Sequence, residues 1–405
     1  MSYYILPKIN NEITIDPVLR MGMDNLSPMI SHTLNTYFNN VKENISKLMV
    51  YENTYTLKSL SQIINPCEYI YNIIPNHTFS ISKLSTLSYC YYDILEIYNT
   101  LKLYESLYSE NINIICRGKY CQDIITSIKS IRRENNDKFV SISIPKSKNK
   151  TDTNTNYNDV KHMNIANKCS LIYFELNEHD SYNETNDYIL GLLSAIRFIF
   201  LYQCTNGIAI IKINDIYYKP IIDILYIISS LYEKIYIIKP NTTNILSNER
   251  YIVCKKYIHS ELKNKYYNNS ITNICNNCSI YKNDIIMESL ITNDISNYFI
   301  NKIEESNIII GQQQLESYDQ IINILKNKNK IDKIENIQKH NIQKCIHWCE
   351  KYKIPYHKLY DKLNNVFISD DYDDEYYENS DTSSDGGINI DRLDELPIPS
   401  TIKII

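Results

Sequence analysis

Lys212 sits at the end of an otherwise apolar run, Gly207–Ile213 (GIAIIKI). A cation at the end of a buried strand lies at the edge where open α/β sheets bind ligands, so Lys212 is the leading candidate for chemistry. Other candidates carry less. Cys275 and Cys278 have the two-residue gap of a zinc knuckle, and Cys345, His347 and Cys349 stand further on. Four thiolates, or three with an imidazole, would hold a structural zinc. The 66 residues between Cys278 and Cys345, and the helical spacing of Cys345 and Cys349, favour cysteines that face a core, and no metal is expected. Lysines at 146, 148 and 150 would suit RNA phosphates, but a solvated loop explains them better. Tyrosine stripes in a chain with 37 Tyr read as core rather than as base-stacking platforms.

The elements that must position Lys212 begin near residue 111. Apolar runs predict strands at Ile112–Cys116, Lys138–Ile144, Ser170–Leu176, Gly207–Ile213, Lys234–Ile238 and Arg250–Tyr257. Helical patterns separate them at Gln122–Ile131, Glu184–Gln203 and from Pro220 to about Tyr232, with Pro220 suited to a first helical turn. This alternation predicts a doubly wound α/β sheet. The last two strands are joined by a polar, helix-free stretch. That allows an antiparallel return, whereas a parallel pair needs a helical crossover. Helical spacing is also read at Ile30–Met49, across 80–108, and in 284–303, 314–326 and 335–353.

Taken together, NGIAIIKI, a helix, and EKIYIIKPNTTNILSNERYIVCKKY resemble the end of the FtsJ-like (RrmJ-type) ribose 2′-O-methyltransferase family, most nearly its branch in large DNA viruses. The matching positions are Lys212, Lys239-Pro240, and Ser247-Asn248-Glu249 before Tyr251-Ile252-Val253-Cys254. The resemblance implies a Rossmann-type methyltransferase core with helical additions at both ends. It implies S-adenosylmethionine as methyl donor and an RNA, cap or other, as substrate. The family's Lys-Asp-Lys-Glu tetrad then falls on Lys102 (in LKLYE), Glu175, Lys212 and Glu249, with Glu175 in place of Asp. In such a site lysine orients or deprotonates a ribose hydroxyl, and carboxylates set its charge and position. A lysine on a helix, such as Lys102, is by default a solvated residue. The family's Pro-Gly-Gly-type donor loop falls on Cys116, Arg117 and Gly118, followed by Lys119, Tyr120 and Cys121; Gly118 is its one glycine. Two readings follow: a transferase, or a catalytically inactive methyltransferase fold serving as an RNA-binding or interaction subunit among capping or virion proteins.

The bulk properties are consistent with either. The domain plan is a mostly helical region at 1–99, the core at 100–260, a helical region at 261–368 and an acidic, disordered tail at 369–405. The tail has eleven acids and two bases, a net of −9, so a total of −5 leaves +4 on residues 1–368. A mildly basic body is compatible with RNA. The richness in Asn, Ile, Tyr and Lys fits an AT-rich coding genome. Eleven scattered cysteines, with no leader-like start, predict reduced thiols in a cytoplasmic setting, host cytoplasm or virion. No apolar run reaches the ~20 residues of a spanning helix, so no membrane partner is expected.

Overall fold

A computed structural model describes residues 3–21, 26–50, 55–84, 87–109, 111–133, 135–143, 168–176, 184–280, 285–327 and 330–358. The acidic tail and the lysines at 146–150 lie outside the described residues.

Seven strands form the central sheet: β1 (Tyr3–Leu6), β3 (Asn113–Gly118), β4 (Lys138–Ser143), β5 (Cys169–Glu175), β6 (Gln203–Ile213), β7 (Tyr232–Ile238) and β8 (Arg250–Tyr257). Their spatial order is β1-β7-β8-β6-β5-β3-β4. Strands β4, β3, β5 and β6 run parallel. Strand β8 is antiparallel to both neighbours, β6 and β7, as the helix-free connection predicts. This is the Rossmann-type methyltransferase layout, with β1 added antiparallel at the β7 edge.

Both faces of the sheet are covered, and alternation along the strands assigns each side chain to a face. On one face Ile115, Ile172, Phe174, Ala209 and Ile211 pack beneath α5 (Glu184–Tyr202) and α6 (Lys219–Ser229). On the other, Ile114, Cys116, Leu171, Tyr173, Ile208, Ile210, Tyr251 and Val253 pack beneath α3 (Tyr89–Thr100) and α4 (Cys121–Ile131). The sheet is buried on both sides, so its strands are continuous apolar runs.

The flanking regions differ from the sequence expectation. Residues 80–84 and 87–88 are not helical, and the α-helix expected over 80–108 is described only as α3. Residues 285–291, expected within a helix, form β9 (Ile285–Ile291), which pairs antiparallel with β2 (Ile15–Met21). Long-range pairing overrides local spacing there. The other described α-helices are α1 (His32–Val50), α2 (Leu57–Ile64), α7 (Glu261–Ile280), α8 (Asn297–Lys326) and α9 (Lys330–Lys351). Cys275 is buried in the main core, and Cys345 and Cys349 are buried beside Cys67 and Trp348. Among the described residues no group of three or more His, Cys, Asp or Glu is placed to hold a metal, and no helix is long and apolar enough to cross a membrane.

Candidate active site

Strand register alone assembles the centre. Gly118 ends β3, Glu175 ends β5 and is paired with Lys212 of β6, and Lys212 is paired with Tyr251 of β8. These positions share the parity of Cys116, Tyr173, Ile210 and Val253, so their side chains stand on the α3 face. Glu249 has the same parity, just before β8. Three expected residues therefore meet at the carboxyl edge of the sheet. Lys212 Nζ lies 3.1 Å from Glu175 Oε1 and 3.1 Å from Glu249 Oε1. Lys212 and Glu175 are buried, while the Glu249 side chain keeps 21% exposure and faces outward.

Tyr89 is the fourth member of this cluster. Lys212 Nζ donates to its hydroxyl at 2.8 Å, and that hydroxyl donates to Glu249 Oε2 at 3.3 Å. The ammonium also stands over the Tyr89 ring, 4.9 Å from its centre. Lys212 thus donates hydrogen bonds to Tyr89 and Glu175 and is ion-paired with Glu249. Burial alone would push the Lys212 amine down. The charge an ionised Cys90 would bring, and the Glu249 and Glu175 carboxylates, outweigh it and hold Lys212 well above the usual lysine range. Burial keeps the Cys90 thiol neutral, so the two carboxylates are the operative charges. Lys212 is therefore a cation at neutral pH.

Lys102 does not join the cluster. It follows the C-terminus of α3, exposed and in the left-handed region, at the head of the short turn Leu103–Glu105. Helix α3 runs antiparallel to the parallel strands, so its 12 residues put Lys102 roughly 18 Å from Tyr89. Lys255, level with Lys234 at the amino end of β7, donates to Leu101 O and marks that opposite end. The tetrad reading is corrected at this position: Tyr89 stands where the first lysine was expected. Tyr89 was missed because one tyrosine among 37 carries no signal of its own. The helical stripe around it did carry one: a helix packed antiparallel to the strands brings its first turn to their carboxyl edge.

Two further acids were missed, Asp93 and Glu96, on an otherwise apolar helix. Both are fully buried. Asp93 accepts from the hydroxyls of Thr242, Thr243 and Tyr251. Glu96 accepts from the Asn241 backbone at 3.0 Å, the Asn241 side chain at 2.8 Å and Trp348 Nε1 at 3.3 Å. They fasten the β7–β8 connection to α3, so Glu249 is held opposite Tyr89. Lys239 ties the same connection internally, donating to Ser247 O and Ile245 O. Burial and the Arg250 charge push its amine down to about 7.

The expected donor loop takes a different form. Cys116, Arg117 and Gly118 belong to β3, and α4 begins at Cys121, so only Lys119 and Tyr120 form the turn. Cys116 is buried in the core. Arg117 has the opposite parity and lies on the other face, 1% exposed, stacked 4.6 Å from the Phe174 ring centre and donating to Glu175 O. Gly118 lies beneath Glu175: a Cβ there would stand 2.4 Å from Glu175 Oε2 and 2.8 Å from Glu175 Cβ. Glu175 Oε2 also accepts the Lys119 backbone N–H at 2.9 Å. The bare backbone and free N–H that the methionine part of S-adenosylmethionine needs are thus taken by the chain's own carboxylate. In this arrangement these residues do not fit the donor.

No protein-family model matches the chain. It is 29% identical over 117 residues to cap-specific mRNA (nucleoside-2′-O-)-methyltransferase 1 of Dictyostelium discoideum, a match to 28% of this chain and 14% of that protein's length. It is 22% identical over 331 residues to the uncharacterized protein R383 of Acanthamoeba polyphaga mimivirus, covering 80% of this chain and 82% of that one. Among solved structures, a ribosomal RNA methyltransferase from Plasmodium falciparum matches 43% of this chain and 99% of its own, with 16% identity and a TM-score of 0.32.

Proposed function

We propose that this chain is an RNA-binding protein built on a methyltransferase fold, with the ribose side of the centre kept and the seat of the methyl donor closed. One observation carries the reading. Glu175 bonds Lys212 through one oxygen and the Lys119 N–H through the other, directly over Gly118. The same carboxylate that neutralises the lysine occupies the turn where a donor would lie. RNA as the ligand rests on the resemblance, on the mRNA-modifying relative, and on the basic body. On this side of the centre Glu249 and the Tyr89 hydroxyl, backed by Lys212, would bind and orient a ribose hydroxyl. A capping or virion assembly is the setting the resemblance suggests.

The second reading is ribose 2′-O-methyl transfer from S-adenosylmethionine to a cap or other RNA. The 3.1 Å approach of Lys212 to Glu249 at the carboxyl edge favours it. When bound, the donor would supply the methyl group. This chain's residues would supply an oriented hydroxyl, with Glu249 rather than the charged Lys212 receiving its proton. Glu175 would first have to leave Lys119. Titration calorimetry with S-adenosylmethionine, RNA filter binding, and a labelled-methyl assay on capped and uncapped RNA separate the two. The expected result is RNA binding with neither donor uptake nor transfer. Donor uptake, with transfer abolished by Lys212→Ala, would overturn it.

A further inference from the structure

A second feature lies on the α3 and α4 side, away from Lys212. It is a cavity of about 640 Å³, well within the range of ligand sites, where the C-termini of α3, α4 and α9 converge. Among the described residues its lining includes Arg133, Lys351 and Lys353, two aromatic rings, Tyr91 and Tyr352, and no acidic residue. Three described acids close to the lining in sequence are engaged elsewhere: Asp93 with Thr242, Thr243 and Tyr251, Glu96 with Asn241 and Trp348, and Glu350 with Tyr356; Glu134, beside Arg133, lies outside the described residues.

Cations at helix C-termini have a plain structural use, because they offset the helix dipoles. Three such ends bring roughly −0.5 each, or about −1.5 in all. Three full positive charges exceed that by about 1.5. The carbonyls are also served without them in part: Lys353 N–H donates to Glu350 O and Ile354 N–H to Cys349 O. Lys353 itself stands at φ 54, in the left-handed region where helix ends favour glycine or asparagine. A lysine held there against its backbone preference places a third cation at the rim, which the helix end does not require.

We propose that this cavity is a second RNA contact, taking a nucleotide of a single strand, with phosphate on Arg133, Lys351 and Lys353 and a base on Tyr352. Phosphate neutralisation and aromatic stacking are the two forces by which single strands are held without sequence preference. The proposal rests on the RNA-binding reading. The cavity lies along α3, the helix whose first residue, Tyr89, belongs to the centre. From Tyr89 to Thr100 the distance is roughly 16 Å, within reach of one short oligonucleotide.

The test is fluorescence anisotropy of the full chain with a labelled oligouridylate over a salt series. Arg133→Glu/Lys353→Glu should lower affinity at least tenfold and reduce the salt dependence by about 0.7 for each phosphate no longer neutralised. Lys47→Glu, on the exposed face of α1, should leave both unchanged. A single change, Lys353→Gly, guards against misfolding: it should raise the melting temperature by relieving the left-handed strain, yet still weaken RNA binding. Equal weakening by Lys47→Glu and the cavity variants would reduce the effect to general charge and overturn the proposal. RNA bound by wild type and cavity variants alike would overturn it while leaving the RNA-binding reading intact. No RNA bound by the wild type would remove both. A synthetic peptide of residues 369–386 that binds the wild type but not the variants, with RNA unaffected, would give the cavity to the chain's own acidic segment instead.

Discussion

Glu96→Gln should change the sign of its effect with pH. Burial, and then the neighbouring Asp93 charge, raise the Glu96 carboxyl from 4.5 to about 7. In the unfolded chain it ionises near 4.5, while in the fold it keeps its proton until about 7. Its contribution to stability is therefore whole below 4.5 and is lost as pH rises through 7. A shift of about 2.5 units is about 3 kcal/mol in full, of which about 2 kcal/mol is lost between pH 5 and 7.5. Glutamine imitates the neutral acid but cannot lose a proton. Its carbonyl, placed as Oε2, can keep the Asn241 backbone and Trp348 donors, and its amide then faces the Asn241 side-chain NH2, at a cost of about 2 kcal/mol for the mismatched buried donor. The wild type should be more stable by about 1 kcal/mol at pH 5, and the variant by about 1 kcal/mol at pH 7.5. Urea unfolding of both chains at four pH values across this window reads the difference directly, since the other titrating groups are present in both. A wild-type minus variant difference that stays constant with pH would refute the argument, because Glu96 would then be ionised in the fold throughout.

Other perturbations have equally definite outcomes. Lys212→Met leaves Glu175 and Glu249 facing each other without their cation and should cost about 3–5 kcal/mol of stability, read by thermal or urea unfolding. Adding Glu175→Gln should return part of it. Gly118→Ala drives a methyl group into Glu175 and should cost about 1–3 kcal/mol, of which Glu175→Ala in the same chain recovers only the part due to the carboxylate, because the Cβ of residue 175 stays 2.8 Å away. Lys102→Ala, at an exposed position at the opposite end of α3 from Tyr89, should change stability by no more than about 0.5 kcal/mol in urea unfolding.

The central sheet was legible because its strands are buried on both faces and its helices recur between them. Its antiparallel return was legible from one polar connection. Lys212 and Glu249 were legible because a strand fixes where its end points, and the same parity carries Glu175 to them. Lys102 misled because a spacing motif carries no information about which end of a helix reaches the sheet edge; α3 stops first and leaves it at the opposite end. The contact of Glu175 with Gly118 depends on which strands become neighbours, so composition can show a shortage of glycine but not what fills the space above one. Asp93 and Glu96 left a trace, two acids three residues apart on an apolar helix, but their partners lie 145 to 252 residues away.

The pairing of β2 with β9 has a consequence for biosynthesis. Ile15 is matched to Ile291, so the second strand to emerge waits for the last one described. At the usual pace of translation that is roughly 15–55 s. Through that interval β2 has no partner strand, and β1 must likewise wait for β7 before it can close the sheet's open edge. The core of alternating strands and helices can condense as it emerges, while β2 is fitted only after it. A nascent chain stalled before residue 285 should thus hold a formed centre around Lys212 and an N-terminal strand still open to chaperones.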